Sequence, residues 1–419
     1  MRILLLPPYF TPERMASTHL DHDRYLAFAE KGWEMILYTP TPTRGVTKEI
    51  RSKYMSLKTE RLYDNMMFAR RFSMFGEGRG VLSRAMRYLL CFVKQMWYGI
   101  RARNIDIVYL VSTPPIQGML GAFLKKIKNV PFVYNLQDIF PDSMVGAGMT
   151  QEGSLLWRLG RVIENYTYRS ADKIIVISED FRRNLLSKGV PSSKIEVVYN
   201  WVDTDKVTPV KNEDNILLEK LGLSHDGKFN VVYAGNFGHA QNIDVILETA
   251  VLLHEYSDIQ FLLFGQGDTY EAYKEIAENK RLDNVIFLPL QSVDDVKYVY
   301  GMGDLGIVSC KPGIGKSAFP SKTWSILAAG VPIVANYDED TDLEKLIKEN
   351  NIGVFSPSGD AKKMSDAILC VYNSPEKCSE YKRNARNYAV HNASRKVSVE
   401  KYVTVLEYVV NKRVDETTI

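Results

Sequence analysis

Two glycine-bearing turns and two lysines carry most of the chemistry that this chain of 419 residues offers. VVYAGNFGHAQNID sets Gly235 and Gly238 between an apolar run and a helix-like segment. Glycines there let a backbone approach a ligand closely, and the free N–H groups of a helix start favour phosphate oxygens. A plain tight turn has the same spacing. A second turn, LLFGQGDTYE, brings Gly265, Gly267 and Asp268, the last suited to cap a helix. Downstream, CKPGIGKSAFPSKTWSILAAGVPIVA carries Lys316 in a glycine-rich loop. It then sets Lys322 in a Pro-Ser-Lys turn ahead of a short helix and an apolar strand. CKPGIGKS imitates the phosphate loop of a nucleoside triphosphatase, but Cys310 stands where that loop needs its first glycine. Pro320 also falls where the following helix must propagate, at a cost of roughly 3 kcal/mol. Lys316 is then either carried toward a ligand by a flexible loop or left as a solvated surface lysine.

Other patterns point away from chemistry. The first loop, PPYFTPER, has no glycine and cannot be the GxGxxG turn of a dinucleotide site, which weakens a dehydrogenase reading. His19 and His22 in STHLDHD share a helix face at i and i+3, but no third ligand accompanies them, so helix-surface histidines are the expectation. Cys91, Cys310, Cys370 and Cys378 are far apart and form no CxxC pair. They signal neither zinc nor a disulfide framework and fit a reducing cytoplasm.

These residues must be held by a scaffold, and its rhythm is visible twice. Apolar runs recur at 2–6, 34–38, 106–111, 131–135, 173–177 and 196–199, then again at 230–234, 259–264, 285–288, 304–309, 331–335 and 352–355. Helix-length segments separate several of them. Continuous apolar runs read as strands buried on both faces, hence parallel sheets covered by helices. The chain exceeds the roughly 250–300 residues at which single cores stop growing. The expectation is an α/β protein of two doubly wound domains, 1–205 and 206–394, whose carboxyl edges face a central cleft, followed by a C-terminal helix in 395–419 that can cross back to the first domain. The opening MRILLLPPYF is too short for a signal-peptide core or a spanning helix and reads as a first buried strand.

Charge is uneven. The net charge is +3, yet Arg51 to Arg103 holds twelve Lys/Arg against Glu60, Asp64 and Glu77. Within it, RAMRYLLCFVKQMWYGIRAR interleaves bases with Tyr88, Phe92, Trp97 and Tyr98, a pattern that can lie on an anionic membrane surface or simply pack as an amphipathic helix. Lys94 argues against a spanning helix, and no recognised motif accompanies the bases to suggest nucleic acid.

Taken together, VYNWVDTDKVTP (198–209), YAGNFGHAQNID (233–244), LLFGQGD (262–268) and AFPSKTWSILAAGVPIVA (318–335) resemble glycosyltransferase family 4 in order and spacing. The variants look most like a bacterial capsule and O-antigen subgroup that includes N-acetyl-L-fucosamine-type transferases. The resemblance implies a GT-B fold of two Rossmann-like domains. It implies a retaining, metal-independent hexosyl transfer from a nucleotide sugar, by default UDP-linked, with no other cofactor. The acceptor would be a saccharide on a polyprenyl diphosphate, met by a cytoplasmic protein peripheral to the inner membrane face in surface polysaccharide assembly.

By the same resemblance, Lys322 would set its ammonium against the diphosphate and neutralise charge that grows as the sugar departs, with Lys316 assisting. Gly235, Asn236, Gly238, Gln241, Gly265, Gly267, Leu290, Ser317, Ser321 and Ser325 would line the donor. Ser17 and Gln137 would meet the acceptor. In YNLQDIFPDS the pair Gln137–Asp138 takes the place of a family His-Asp segment. Only its carboxylate can accept a hydroxyl proton, so Asp138 is a candidate base or acceptor orienter, or else a loop buttress. The family's Glu-x7-Glu pair falls on Ser317 and Ser325, and its Arg-x4-Lys pair on Asn236 and Gln241. A serine can make one ribose hydrogen bond where a carboxylate makes two, so the burden shifts to Lys322 and Lys316. Of the D-x-D pairs, Asp203 reads as a turn residue and Asp338–Asp340 as a loop near the donor at best. A nucleotide-sugar 2-epimerase and a non-catalytic sugar-nucleotide-binding subunit are the rival readings.

Overall fold

Leucine- and β-branched-rich runs form strands whose side chains are covered on both faces. Residues Phe132–Leu136, Leu305–Ser309 and Ile333–Tyr337 are buried without interruption. The computed structural model describes residues 1–13, 18–76, 80–146, 148–223 and 227–418. They divide into two units, Met1–Tyr199 with Ser398–Ile419, and Asn200–Val397.

The first unit is built on β1 (Arg2–Leu5), β2 (Glu34–Pro40), β3 (Thr59–Leu62), β4 (Met67–Phe72), β5 (Ile107–Val111), β6 (Phe132–Leu136), β7 (Lys173–Val176) and β8 (Ile195–Val197). Their order across the sheet is β3-β4-β2-β1-β5-β6-β7-β8, parallel except for the antiparallel pair β3–β4. That edge hairpin is missed by a search for apolar runs. TERL and MFARRF carry Arg61 and Arg70 at exposed positions, as alternation beside a sheet edge allows, and Arg71 at a buried one where it pairs with Glu60.

Three helices, Val81–Arg101, Gln117–Lys128 and Leu155–Ser170, lie against one another on this sheet, drawn close by glycines. A Cβ on Gly121 would stand 2.2 Å from the Phe132 ring, and one on Gly118 would stand 2.3 Å from Thr167. The helix Arg395–Thr418 returns to the first unit. There Tyr402 donates to Asn135 Oδ1 at 3.2 Å, the Arg24 guanidinium lies over the Tyr402 ring, and Lys31 pairs with Glu400.

The second unit holds β9 (Phe229–Asn236), β10 (Ile259–Gln266), β11 (Val285–Pro289), β12 (Leu305–Ser309), β13 (Ile333–Tyr337) and β14 (Gly353–Pro357), all parallel, in the order β11-β10-β9-β12-β13-β14. β9 pairs with β10 along its full length but with β12 only at Val231 and Val232. Past those two residues β9 and β12 part at their carboxyl ends, where the strand order reverses and ligands settle in such sheets.

Candidate active site

The loops beyond β9 and β12 are laced together before any ligand arrives. Lys311 N donates to Ala240 O at 2.9 Å, and Ser309 Oγ donates to Gln241 O at 2.6 Å. Four glycines set the floor of the crevice, each where a side chain has no room. A Cβ on Gly265 would meet the Phe237 ring at 2.0 Å. One on Gly238 would crowd Asn236 Nδ2 at 2.8 Å and Gln241 Oε1 at 2.9 Å. Gly267 has φ +134, which disfavours any side chain, and a Cβ there would also touch Asn236 Oδ1 at 2.6 Å. A Cβ on Gly235 would stand 3.0 Å from Lys322 Nζ. The structure thus brings together Gly235, Asn236, Gly238, Gln241, Gly265, Gly267 and Lys322, and Leu290 joins through its N–H to Gly265 O at 3.1 Å.

Lys322 opens the short helix Lys322–Ala328, and the stacked rings of Phe319 and Trp324, 5.0 Å apart, pin the Pro-Ser-Lys turn that precedes it. Part of its stem reaches solvent, but its Nζ is buried and has no hydrogen-bond partner. The ammonium rests instead on the face of Tyr233, 3.8 Å from the ring centroid. Burial is the cause that moves it, lowering its pKa to about 7. Tyr233 itself is pushed well up by burial and donates its hydroxyl to Asn236 O at 2.8 Å, which ties the ring to the glycine turn. An amine held without a counter-ion, beside backbone that carries no side chain, is a place where an anion draws the ammonium form and gains more than it would in water.

The other expected donor residues stand differently. Gly313 N and Gly315 N both donate to the Asp338 carboxylate, at 3.0 and 2.8 Å, and Tyr337 donates to Ala318 O at 3.0 Å. Asp338 therefore clamps the 310–318 loop. Ser317 donates to Ile314 O at 2.7 Å, so its hydroxyl proton serves the loop. Lys316 is 59% exposed and faces Asp340 at 3.6 Å, which Lys345 also contacts at 3.0 Å. Ser321 is exposed at the helix start, and Ser325, one turn on, is half-buried.

In the first unit Gln137 and Asp138 follow β6. Gln137 N–H donates to Ser112 Oγ and its amide to Asn135 Oδ1, both at 2.9 Å, while Asn135 donates to Tyr109 OH at 2.8 Å. Asp138 reaches solvent, yet burial in its loop raises its carboxyl above the usual range, opposed by hydrogen bonds from Ser143 and the Ile139 N–H. Water at its outer edge limits that rise. Ser17 lies outside the described residues. His22 Nδ1 is 3.0 Å from Tyr63 OH, and Asp203 accepts from the N–H groups of Asp205 and Lys206, which makes it a turn residue. Sequence reasoning missed Tyr233, Phe237 and Asn135. Tyr233 and Asn135 sit mid-strand among apolar residues, and only the polar handle of each distinguished it there.

Comparison with known proteins agrees with this architecture. The family described as Glycosyltransferase Family 4 matches residues 25–206, and the one described as Glycosyl transferases group 1 matches residues 218–388. The chain is 25% identical over 325 residues to a protein of Pseudomonas aeruginosa described as a probable glycosyltransferase, WbjE, covering 77% of this chain and 80% of that one. A second relative, described as the putative colanic acid biosynthesis glycosyl transferase WcaI of Escherichia coli, is 29% identical over 226 residues. That match covers 53% of this chain and 55% of WcaI. Among solved structures, Anabaena Alr3699/HepE in complex with UDP superposes with a TM-score of 0.72 at 16% identity, covering 97% of this chain and all of that one. The fold is GT-B.

Proposed function

We propose that this chain, which carries glycosyltransferase family domains in both halves, is a retaining transferase that takes a nucleotide sugar, by default UDP-linked, and passes the sugar to a lipid-linked saccharide in surface polysaccharide assembly. One observation carries the reading. Lys322 Nζ is buried and without a hydrogen-bond partner beside the glycine turn of β9, where the strand order reverses. A nucleoside diphosphate fits that place because its oxygens accept hydrogen bonds and its charge completes the ammonium. The UDP bound by HepE and the colanic acid named for WcaI support the donor and the pathway class.

In the reaction the bond between the anomeric carbon and the diphosphate oxygen breaks, and a bond to the acceptor oxygen forms on the same face. The acceptor proton passes to the departing phosphate. Lys322 stabilises the negative charge that develops on the leaving oxygens, the larger catalytic contribution in such sites. Asp138 is the proposed orienter of the acceptor hydroxyl or, in place of the phosphate, the base that receives its proton. Lys316 assists only by leaving Asp340. The backbone of the four glycines and the amides of Asn236 and Gln241 take over contacts that charged side chains would otherwise make, with Leu290, Ser317, Ser321 and Ser325 around the nucleoside. Gln137, whose amide is already held by Asn135, and Ser17 would meet the acceptor. That acceptor sits in a membrane, and the basic, aromatic stretch 51–103 would bring the cytoplasmic protein to its inner face.

Sugar transfer from a panel of nucleotide sugars to a polyprenyl-diphosphate saccharide tests this directly. Lys322→Ala should lower turnover by roughly 10²–10³ with the fold retained. Unchanged turnover removes Lys322 from the reaction. Isomerisation of the donor without acceptor would establish the epimerase, and stoichiometric binding with no turnover the binding subunit.

A further inference from the structure

We propose that the three-helix layer of the first unit, Val81–Arg101, Gln117–Lys128 and Leu155–Ser170, is a docking surface for an anionic lipid bilayer. This deepens the reading above by naming the surface at which a lipid-borne acceptor is met, and it moves that surface from the linear stretch 51–103 to a face built from three helices. Several bases of that stretch are spent inside the protein. Arg71 is buried and paired with Glu60, and Arg87 is buried against the ring of Tyr9.

The face is apolar where a globular surface should be polar. On Val81–Arg101 the exposed residues Met86, Leu89, Val93, Trp97 and Ile100 follow one another by three or four positions, which makes a single stripe. On Leu155–Ser170 the residues Leu155, Leu159, Val162 and Tyr166 do the same, with Leu155 85% and Val162 64% exposed. Phe123 of the middle helix touches both neighbours, its ring 6.5 Å from Phe92 and 5.8 Å from Tyr166, so the two stripes flank one packed layer. Contiguous apolar surface of this kind marks an interaction site.

Charge selects the occupant. Of the ten Lys and Arg on the three helices, Arg87 is buried, Lys125 and Arg161 are paired with Asp172 and Glu164, and five are exposed, whereas the helices carry a single acid, Glu164. Glu164 is itself buried and bonded to Tyr168 and Lys188. Arg84, Arg101, Lys126, Arg158 and Arg169 reach solvent. The Arg101 guanidinium lies over the Trp97 ring, 3.8 Å from its centroid, a pairing that suits the boundary between headgroups and acyl chains. A second copy of this chain is a poor occupant, because a two-fold interface would set the same bases against themselves. Among the described residues no helix is long and apolar enough to span a bilayer, so the helices lie along it.

The test is cosedimentation of the full chain with vesicles of phosphatidylcholine, with and without phosphatidylglycerol, at low and high salt. Binding should require phosphatidylglycerol and fall with salt, roughly fivefold for each base that meets the surface. The pairs Leu159→Glu/Val162→Glu and Val93→Glu/Trp97→Glu should each cost at least tenfold in vesicle affinity while leaving the melting temperature and UDP binding unchanged. The proposal is overturned by equal binding to neutral vesicles, by loss in the second pair alone, or by a dimer in solution that Leu159→Glu dissociates. It is overturned equally by an acidic protein that competes for the face while vesicles of either kind fail to bind. UDP binding is read separately, so failure of the donor site would leave the vesicle result standing.

Discussion

Raising the pH from 7 to 8.5 should weaken UDP binding about fifteenfold through Lys322 alone. Its Nζ, lowered to about 7 by burial, is half protonated at pH 7 and about 3% protonated at pH 8.5, whereas the proposed diphosphate-bound form would need the ammonium. Binding must therefore draw a proton from solution, about half of one at pH 7 and nearly a whole one at pH 8.5. Tyr233 from β9 and Tyr300 from the neighbouring helix Val296–Gly301 are both pushed upward by burial and stay neutral throughout, and no carboxylate is bonded to Nζ. The unliganded protein should show the opposite trend. An unfolded lysine titrates at 10.5, so between pH 7 and 10.5 the unfolded chain holds a proton that the folded chain lacks. Stability then rises by up to about 1.4 kcal/mol per pH unit, and below pH 7 the slope from this group vanishes with the burial cost fully expressed. Titration calorimetry in buffers of different ionisation enthalpy counts the protons directly. Lys322→Arg, charged at every pH used, should flatten the profile. Tight UDP binding with no proton uptake and the same affinity at both pH values would refute the account.

Gly267→Ala should cost about 1–3 kcal/mol of stability and most of the donor affinity, because φ +134 strains the backbone and the new methyl meets Asn236; thermal melts with and without UDP measure both. Asp138→Asn should lower kcat by roughly 10²–10⁴ and leave the donor Kd unchanged, as expected of a group that serves only the acceptor. Asp338→Ala removes the acceptor of two loop N–H groups and should loosen the 310–318 loop, raising the donor KM more than it lowers kcat. If, as proposed, the Lys322 ammonium supplies the positive charge at the leaving group, transfer should persist in EDTA; a strict divalent-cation requirement would oppose that assignment.

The strand rhythm was legible because it is local: a strand buried on both faces must be apolar along its length, whatever it pairs with. Gly235, Gly238, Gly265 and Gly267 were legible for a similar reason, since positions at and just past the carboxyl ends of strands that tolerate no side chain declare themselves by type. The edge hairpin β3–β4 was not, because its solvent-facing half carries arginines that break an apolar run. Nor could spacing separate the two lysines, only six residues apart. One ends on the surface beside Asp340, and the other is buried on a ring 89 positions earlier in the chain.

What the amino-acid order determined by itself was therefore the class of scaffold and the turns where backbone can be approached. What only the tertiary structure decided was electrostatic. It turned Asp338 into a clamp for loop amides and returned the last helix to Asn135 of the first unit. It also left the Lys322 ammonium dry on Tyr233, because charge state depends on how much water the folded surroundings exclude, and no pattern along the chain records that.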